Sequence, residues 1–480
     1  MSAGCGARRT PDLERIFALA RTRTGKAPVI VVPGILGSQL INRRTREIVW
    51  PSAFRSSTDG LSLPTTPDLA SNRDELIAER IVETAKLARL APDIYVYYEL
   101  INALRRYGNY RDGDWDNPPP EGDRDTFYVF PYDWRRDNVE SAQVFFRRIE
   151  ELKRKLGRPY LRFNIVAHSM GGLISRYAAM YGDADLPLDD LMPPQPTWAG
   201  ARHINKIFMF GTPNEGTMEA FATLLEGYSI NEGLRRRIRL LNKLSREDAI
   251  TIPAIFQLLP HSEAVRFLDQ NLAPLDVDFY DPAVWRKYNW SPIHNDEFRE
   301  RYGRGQVRDE EGAPQRASLA ELDAYFVAVL TRARRFHAAL DAHDTHDTYV
   351  TGDTASPPSP VALYAFGGDC EETLRASVVL RDEKRGLWRT LTEPREIRDA
   401  NGRKIKRKEV THAMYEPGDG RVTRRSLLGE RLNAPRRSQF FDTPLHIVYG
   451  VFACDLHSDL QNNKTLQDNA LTVLINEVMN

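Results

Sequence analysis

Leu161-Arg162-Phe163-Asn164-Ile165-Val166-Ala167-His168-Ser169-Met170-Gly171-Gly172-Leu173-Ile174-Ser175-Arg176-Tyr177 reads as a strand, a sharp turn and a helix in immediate succession. The run Leu161 to Ala167 is short and apolar, and from Met170 to Tyr181 apolar residues recur at three and four. Such a junction is the context of a nucleophile elbow. There a serine sits on a strained turn, and small residues two before and two after it let the strand and helix backbones approach. Ala167 stands where glycine is usual and is still small. The plainer alternative is an ordinary strand-to-helix turn in which Ser169 caps the helix. The flanks and the double glycine favour the elbow.

Outward from the elbow the pattern repeats. Pro28 to Val32, Thr126 to Phe130, Ile204 to Phe210, Val361 to Phe366 and Leu445 to Tyr449 are short runs rich in Val, Ile, Phe and Tyr, bounded by Gly, Pro or Asp. They predict strands buried on both faces, as in a mostly parallel central sheet with helices on both faces. Val139 to Lys155 and Thr465 to Val478 carry helical periodicity, so the alternation predicts a doubly wound α/β fold. The expected organisation is an N-terminal arm over 1–27, a first part of the core over 28–213 with an excursion at 40–95, an inserted helical cap over 214–350, and the rest of the core over 351–480. In the cap, Gly233 to Leu244, Ser262 to Leu272 and Ser318 to Ala342 read as helices. Residues 376–410 read as a β-hairpin insert with Asn401-Gly402 at its turn.

Composition narrows the function classes. The chain has 480 residues, 41% hydrophobic and 28% charged, which supplies a sizeable core. Its 66 basic residues balance 66 acidic ones, so no global field recommends nucleic acid as a partner. Cys5, Cys370 and Cys454 show no paired spacing. That predicts neither a disulfide framework nor a thiolate zinc site, and it points to a reducing, cytoplasmic setting. No apolar run is long enough to span a membrane. Ser2 to Cys5 and Arg8-Arg9 have no apolar segment beside them, so neither reads as an export signal.

A serine hydroxyl needs a base, and the base an orienting carboxylate. Gly418-Asp419-Gly420-Arg421-Val422 and Asp455-Leu456-His457-Ser458 supply them in the order acid, then histidine, after the serine. His457 lies beyond the last strand and before the last helix, where loop residues face the C-terminal edge of the sheet. Of the other histidines, His168 adjoins the serine and is expected to pack under the elbow, while His446 lies within a strand. Asp419 has glycines on both sides, as a tight loop presenting a carboxylate requires; Asp369 and Asp442 are its rivals. An oxyanion hole needs two backbone N–H groups. Met170, first in the elbow helix, offers one, and the loop Pro33-Gly34-Ile35-Leu36-Gly37-Ser38 after the first strand offers the other. That loop lacks the spacing of a phosphate cradle.

Taken together, Val32 to Leu40, Pro131-Tyr132-Asp133-Trp134-Arg135, Ala167 to Gly172, Gly211-Thr212-Pro213, Gly418 to Val422 and His457 resemble, in this order, the lecithin-cholesterol acyltransferase-like α/β-hydrolases. The resemblance implies a serine acyl-enzyme mechanism on lipid esters with Ser169, Asp419 and His457 as catalytic residues. It implies that the backbone amides of Leu36 and Met170 form the oxyanion hole, that Tyr132 and Trp134 contact substrate, and that Asn214 to Pro260 fill the slot of a lid. No cofactor and no metal are implied. Secreted members carry disulfides, one of them pinning a loop after the first strand, whereas residues 40–95 here contain no cysteine. Arg421 stands where a small or acidic residue is usual.

The expected activity is that of a phospholipase A-type acylhydrolase or an acyltransferase. A general carboxylesterase or neutral lipase is the second reading, and a catalytically inactive hydrolase fold used for binding the third. The basic stretch Gly233 to Leu244 is either a lid helix resting on anionic lipid or a solvated cap helix. Arg403 to Lys408 reads as a solvated strand edge. His343-Asp344-Thr345-His346-Asp347, with His337 nearby, has metal-capable side chains but reads as a polar helix end.

Overall fold

The computed structural model describes residues 10–19, 22–51, 60–86, 93–187, 194–229, 243–261, 266–303, 307–308, 314–315, 318–345, 360–382, 386–431, 438 and 441–476. Its centre is a seven-stranded sheet. In chain order the strands are β1 (Val29–Val32), β2 (Arg111–Asp112), β3 (Thr126–Val129), β4 (Phe163–His168), β5 (Ile204–Phe210), β6 (Ala362–Gly368) and β7 (Ile447–Ala453). Their spatial order is β7-β6-β5-β4-β1-β3-β2, and every pairing is parallel. The chain has the α/β-hydrolase fold.

Alternation along the strands divides the core. Ile30, Val32, Tyr128, Ile165, Ala167, Ile207, Met209 and Ala365 share a core with helices α1 (Asn138–Leu156) and α2 (Met170–Tyr181), and helix α3 (Leu319–Thr345) packs on α2. Val29, Val31, Phe127, Val166, Phe208, Phe210 and Phe366 face the turn of helix at 98–107 and helix α4 (Lys464–Asn476). Side chains of successive strand residues point to opposite faces, so one short apolar run feeds both clusters. Such strands read as continuous hydrophobic runs because both faces are covered. α1 starts where the Asp137 carboxylate accepts the N–H groups of Val139 and Glu140 at 2.9 and 3.1 Å, satisfying donors the helix leaves unpaired.

Three parts differ from expectation. Ser262 to Leu272 is not a helix over its described residues: Phe267–Leu268 forms a short strand parallel to Ser377–Asp382, and Leu272 has φ 63°. The apolar pair Phe267 and Leu268 is buried by strand pairing and ring packing instead. Arg403 to Lys408 divides: Lys404–Ile405 pairs with Ile397–Arg398, and Arg407 opens a helix to Met414 whose entry is fixed by Glu409 accepting the Lys406 N–H at 3.0 Å. Cys370 and Cys454 are disulfide-bonded, with Cα atoms 5.3 Å apart. They follow β6 and β7, whose last paired residues are Gly368 and Ala453. The bridge spans 84 residues of sequence, so no local spacing announces it; adjacency of two parallel strands creates it.

The excursion after β1 contains a small antiparallel sheet of Ser38–Asn42, Ile48–Trp50 and Leu76–Ile81. The basic stretch from Gly233 lies outside the described residues except for Lys243 and Leu244, which pair with Tyr228–Ser229. His346 and Asp347 also lie outside them, and residues 343–345 end α3. Among the described residues no helix is long and apolar enough to cross a membrane.

Candidate active site

Ser169 occupies the junction of β4 and α2 with φ 53° and ψ −125°, a conformation costly for a residue with a β-carbon. Its side chain makes no capping bond to the helix, so the capping alternative does not describe it. A β-carbon on Gly171 would lie 2.5 Å from the Pro33 carbonyl oxygen and 2.6 Å from that of Val32. Only glycine lets α2 start this close to the loop after β1. Ala167, wholly buried, fits on the strand side.

The structure brings Ser169, His457 and Asp419 together from three separate loops. The Ser169 hydroxyl lies 2.9 Å from His457 Nε2, and His457 Nδ1 lies 2.8 Å from Asp419 Oδ2. Asp419 Oδ1 accepts the N–H groups of Arg421 and Val422 at 3.0 and 2.7 Å, and its carbonyl accepts the His457 N–H at 2.8 Å. These bonds fix a buried carboxylate in one orientation. The Asp419 loop is carried by an antiparallel pair, Glu371–Leu374 with Tyr415–Gly418, that branches from the end of β6. Arg421 turns toward Glu219, 3.2 Å away, and lies over the Tyr228 ring. The rival acids Asp369 and Asp442 are exposed. His446 precedes β7 at the opposite end of the strands and lines a separate cavity with Met180, Trp198 and Val361.

The loop 33–38 is a turn closed by the Gly37 N–H donating to the Gly34 carbonyl at 3.0 Å. Leu36 takes the position that requires positive φ, at 64°, where glycine is the usual residue. Aromatic side chains hold the loop's main chain. The Trp50 indole N–H donates to the Leu36 carbonyl at 2.8 Å, the Tyr132 hydroxyl to the Pro33 carbonyl at 2.8 Å, and the Trp134 indole N–H to the Ser38 carbonyl at 3.2 Å. The Gly34 N–H in turn donates to the Tyr97 hydroxyl at 2.8 Å. Leu36 and Met170 thus sit at the two backbones that meet at Ser169, one on a pinned loop and one at the first turn of a helix, where N–H groups lack partners within the helix.

Tyr132 and Trp134 lie behind the loop. Both are buried, Trp134 completely, and the polar atom of each is bonded to the loop. A buried indole or phenol finds a hydrogen-bond partner, and here the partner is main chain. Tyr97 and Trp50 escaped the sequence reading altogether, since Trp50 lies in the aperiodic excursion, Tyr97 just beyond its end, and neither belongs to a motif.

The sequence model of the lecithin:cholesterol acyltransferase family matches residues 121–302, which include Tyr132, Trp134 and the elbow. Over those residues the chain is similar to the lecithin:cholesterol acyltransferase family. No curated protein matches the sequence. Among solved structures, a chain of the Tle4–Tli4 complex aligns with a TM-score of 0.52 at 14% identity, over 95% of this chain and 99% of that one. A Bacillus licheniformis lipase, BlEst2 in mature form, aligns with a TM-score of 0.31 at 11% identity, over 94% and 92% of the two chains.

Proposed function

We propose that this LCAT-like chain is a serine-dependent acylhydrolase or acyltransferase acting on lipid esters, with Ser169, His457 and Asp419 as its catalytic residues. The observation that carries the reading is the unbroken line from the Ser169 hydroxyl through both nitrogens of His457 to the Asp419 carboxylate. The hydroxyl attacks the ester carbonyl while its proton passes to His457 Nε2, and Asp419 stabilises the imidazolium. The Leu36 and Met170 amides receive the negative charge that develops on the carbonyl oxygen. His457 then protonates the departing alcohol. Water or an acceptor alcohol, deprotonated by the same ring, attacks the acyl-enzyme and frees Ser169. No cofactor enters these steps.

The preferred substrates in this reading are glycerophospholipids, cleaved in a phospholipase A-type reaction, with peripheral contact between the cap and a lipid surface. A general carboxylesterase or neutral lipase would use the same residues. The alignment of serine, histidine and carboxylate weighs against an inactive binding module. On location, sparse cysteines favour the cytoplasm, while the Cys370–Cys454 bridge favours an oxidising compartment; the bridge is the more specific of the two observations.

A fluorophosphonate probe tests the chemistry. Wild type is expected to be labelled and Ser169→Ala not; equal labelling of both would end the assignment. Phospholipid vesicles compared with short-chain soluble esters then test the substrate class, and preference for the soluble ester would favour the carboxylesterase.

A further inference from the structure

Tyr97 and His168 lie under the elbow and belong to none of the steps above. The Tyr97 oxygen accepts the Gly34 N–H at 2.8 Å and lies 2.8 Å from His168 Nδ1. His168 Nε2 lies 3.0 Å from the main-chain oxygen of His457. One assignment of protons satisfies all three contacts. The phenol accepts from Gly34 and donates to Nδ1, which leaves Nε2 protonated to donate to the His457 carbonyl. Both side chains are buried. Burial holds the phenol above its ordinary pKa and, with the positive charge that His457 can carry nearby, holds His168 at about 3, so neither group changes protonation near neutral pH.

The same segment grips both sides of the site. The N–H groups of Val96, Tyr97 and Tyr98 converge on the Glu83 carbonyl at 2.8, 3.2 and 3.2 Å, and the Val82 N–H donates to the Gly37 carbonyl at 2.9 Å. The Val96 carbonyl accepts Gln461 Nε2 and Asn462 Nδ2 at 2.6 and 2.9 Å, just beyond His457. The excursion after β1 therefore ends on a residue that touches the oxyanion loop, the elbow and, through His168, the loop of the base.

We infer that Tyr97 and His168 are positioning residues whose hydrogen bonds hold the oxyanion loop at Gly34 and the main chain of His457 in one mutual register. The inference rests on the acyl-transfer reading for its effect on rate, though the hydrogen-bonded chain exists independently of that reading. A ground-state ester needs neither a strict oxyanion position nor a strict base position, whereas the transition state needs both. Loss of the register should lower kcat and leave KM nearly unchanged.

The test uses the full chain with Tyr97→Phe, which keeps the ring and removes the hydroxyl, and His168→Gln, whose amide can still donate toward His457 but loses the link to Tyr97. Three measurements are made: kcat and KM on a p-nitrophenyl ester, the rate of fluorophosphonate labelling, and the nitrogen NMR shifts of the His168 ring. Tyr97→Phe is expected to lower kcat about 10- to 100-fold with KM within about twofold, and to slow labelling in parallel. His168→Gln is expected to fall between it and wild type. Wild-type spectra should show His168 protonated at Nε2 alone, with the Nδ1 shift moving in Tyr97→Phe. Folded variants with wild-type kcat would overturn the positioning role. A His168 ring protonated at Nδ1 would overturn the chain itself, whether or not either variant folds. Unlabelled wild type with the expected spectra would instead overturn the acyl-transfer reading, and with it the effect on rate, while leaving the chain standing.

Discussion

Gly34 and Ser169 stand so close that a β-carbon built on the glycine would lie 2.9 Å from that of the serine. It would also lie 3.1 Å from His168 Nδ1 and 3.2 Å from the His168 carbonyl oxygen. None of these neighbours is the free end of a flexible chain, so the added methyl must move the loop or the elbow. Gly34→Ala is expected to keep its far-ultraviolet circular dichroism and lose about tenfold or more in kcat, as a loop donor shifts from the oxyanion position. Wild-type turnover in a folded Gly34→Ala would mean that the loop does not serve Ser169.

Asp419→Asn tests the other end of the line. The carboxylate accepts from His457 through one oxygen and from the Arg421 and Val422 amides through the other. An amide keeps the shape but loses the charge, and it can keep the two backbone bonds only by turning its N–H group toward His457. That would impose the wrong tautomer on the ring. Turnover should fall by about 10³ to 10⁴ with little change in stability. A loss under tenfold would move the role of acid to another residue.

How much was legible follows from how far each signal extends along the chain. The elbow was, because strand, turn and helix are contiguous and the φ of Ser169 follows from that junction. His457 was readable as a loop residue after the last strand, and Asp419 from the glycines on both sides of it; the pair Glu371–Leu374 with Tyr415–Gly418 that carries Asp419 was not. Tyr97 was not: its contacts with Gly34 and His168 depend on where a long excursion returns, and no period in the sequence encodes that. The bond from the Trp134 indole to the Ser38 carbonyl was not legible either, because a motif shows which residues accompany a site but not which way they face. The Cys370–Cys454 bridge was missed for the same reason as Tyr97, since register between β6 and β7 sets it.

The disulfide makes a countable prediction. With Cys370 and Cys454 joined, only Cys5 is left among the three cysteines. Thiol titration of protein denatured without reductant should find one thiol per chain, and three after reduction. Cys454 lies three residues before His457 and Cys370 lies two after Gly368, where an added β-carbon would meet that of Asp419 at 2.8 Å. Cys454→Ser should cost about 2 to 4 kcal/mol of stability in chemical unfolding. Three thiols in the unreduced protein would show that the bridge does not form.

Stability should fall between pH 7 and 5, before most carboxylates titrate. In the unfolded chain His168 and His203 titrate near about 6.5. In the fold each is held at about 3, chiefly by burial, aided at His203 by the Lys153 and Arg202 charges. Their contribution is complete above the unfolded value. It shrinks as pH falls below that value, because only the unfolded chain takes up protons, and it is gone below the folded value. For the buried His168 the loss at pH 5 is about 2 kcal/mol. His261 works the other way: burial opposes its charge, but Asp341 and Glu215 outweigh burial and raise its pKa, so its contribution fades as pH rises. Thermal melts at intervals from pH 7 to 5 should show a falling Tm, with a shallower slope in His203→Gln. An identical slope in wild type and His203→Gln would mean that the His203 ring titrates in the folded protein as it does in the unfolded chain.

Arg135 is completely buried, and its guanidinium meets Asp74 at 2.6 and 2.8 Å, Asp133 at 2.8 and 2.9 Å and the Leu61 carbonyl at 3.3 Å. Asp74 precedes the strand Leu76–Ile81 of the small sheet, and Asp133 lies between the two aromatics that hold the loop 33–38. One side chain thus ties the excursion to the site. Burying a charge is costly unless each partner is matched, and removing one partner leaves the others uncompensated. Arg135→Met should therefore destabilise the fold by about 3 to 5 kcal/mol in urea unfolding. Arg135→Lys should recover only part of this, because an ammonium cannot serve two carboxylates bidentately. Adding Asp74→Asn to Arg135→Met should restore some stability by removing one stranded charge, a gain that a simple packing defect would not give.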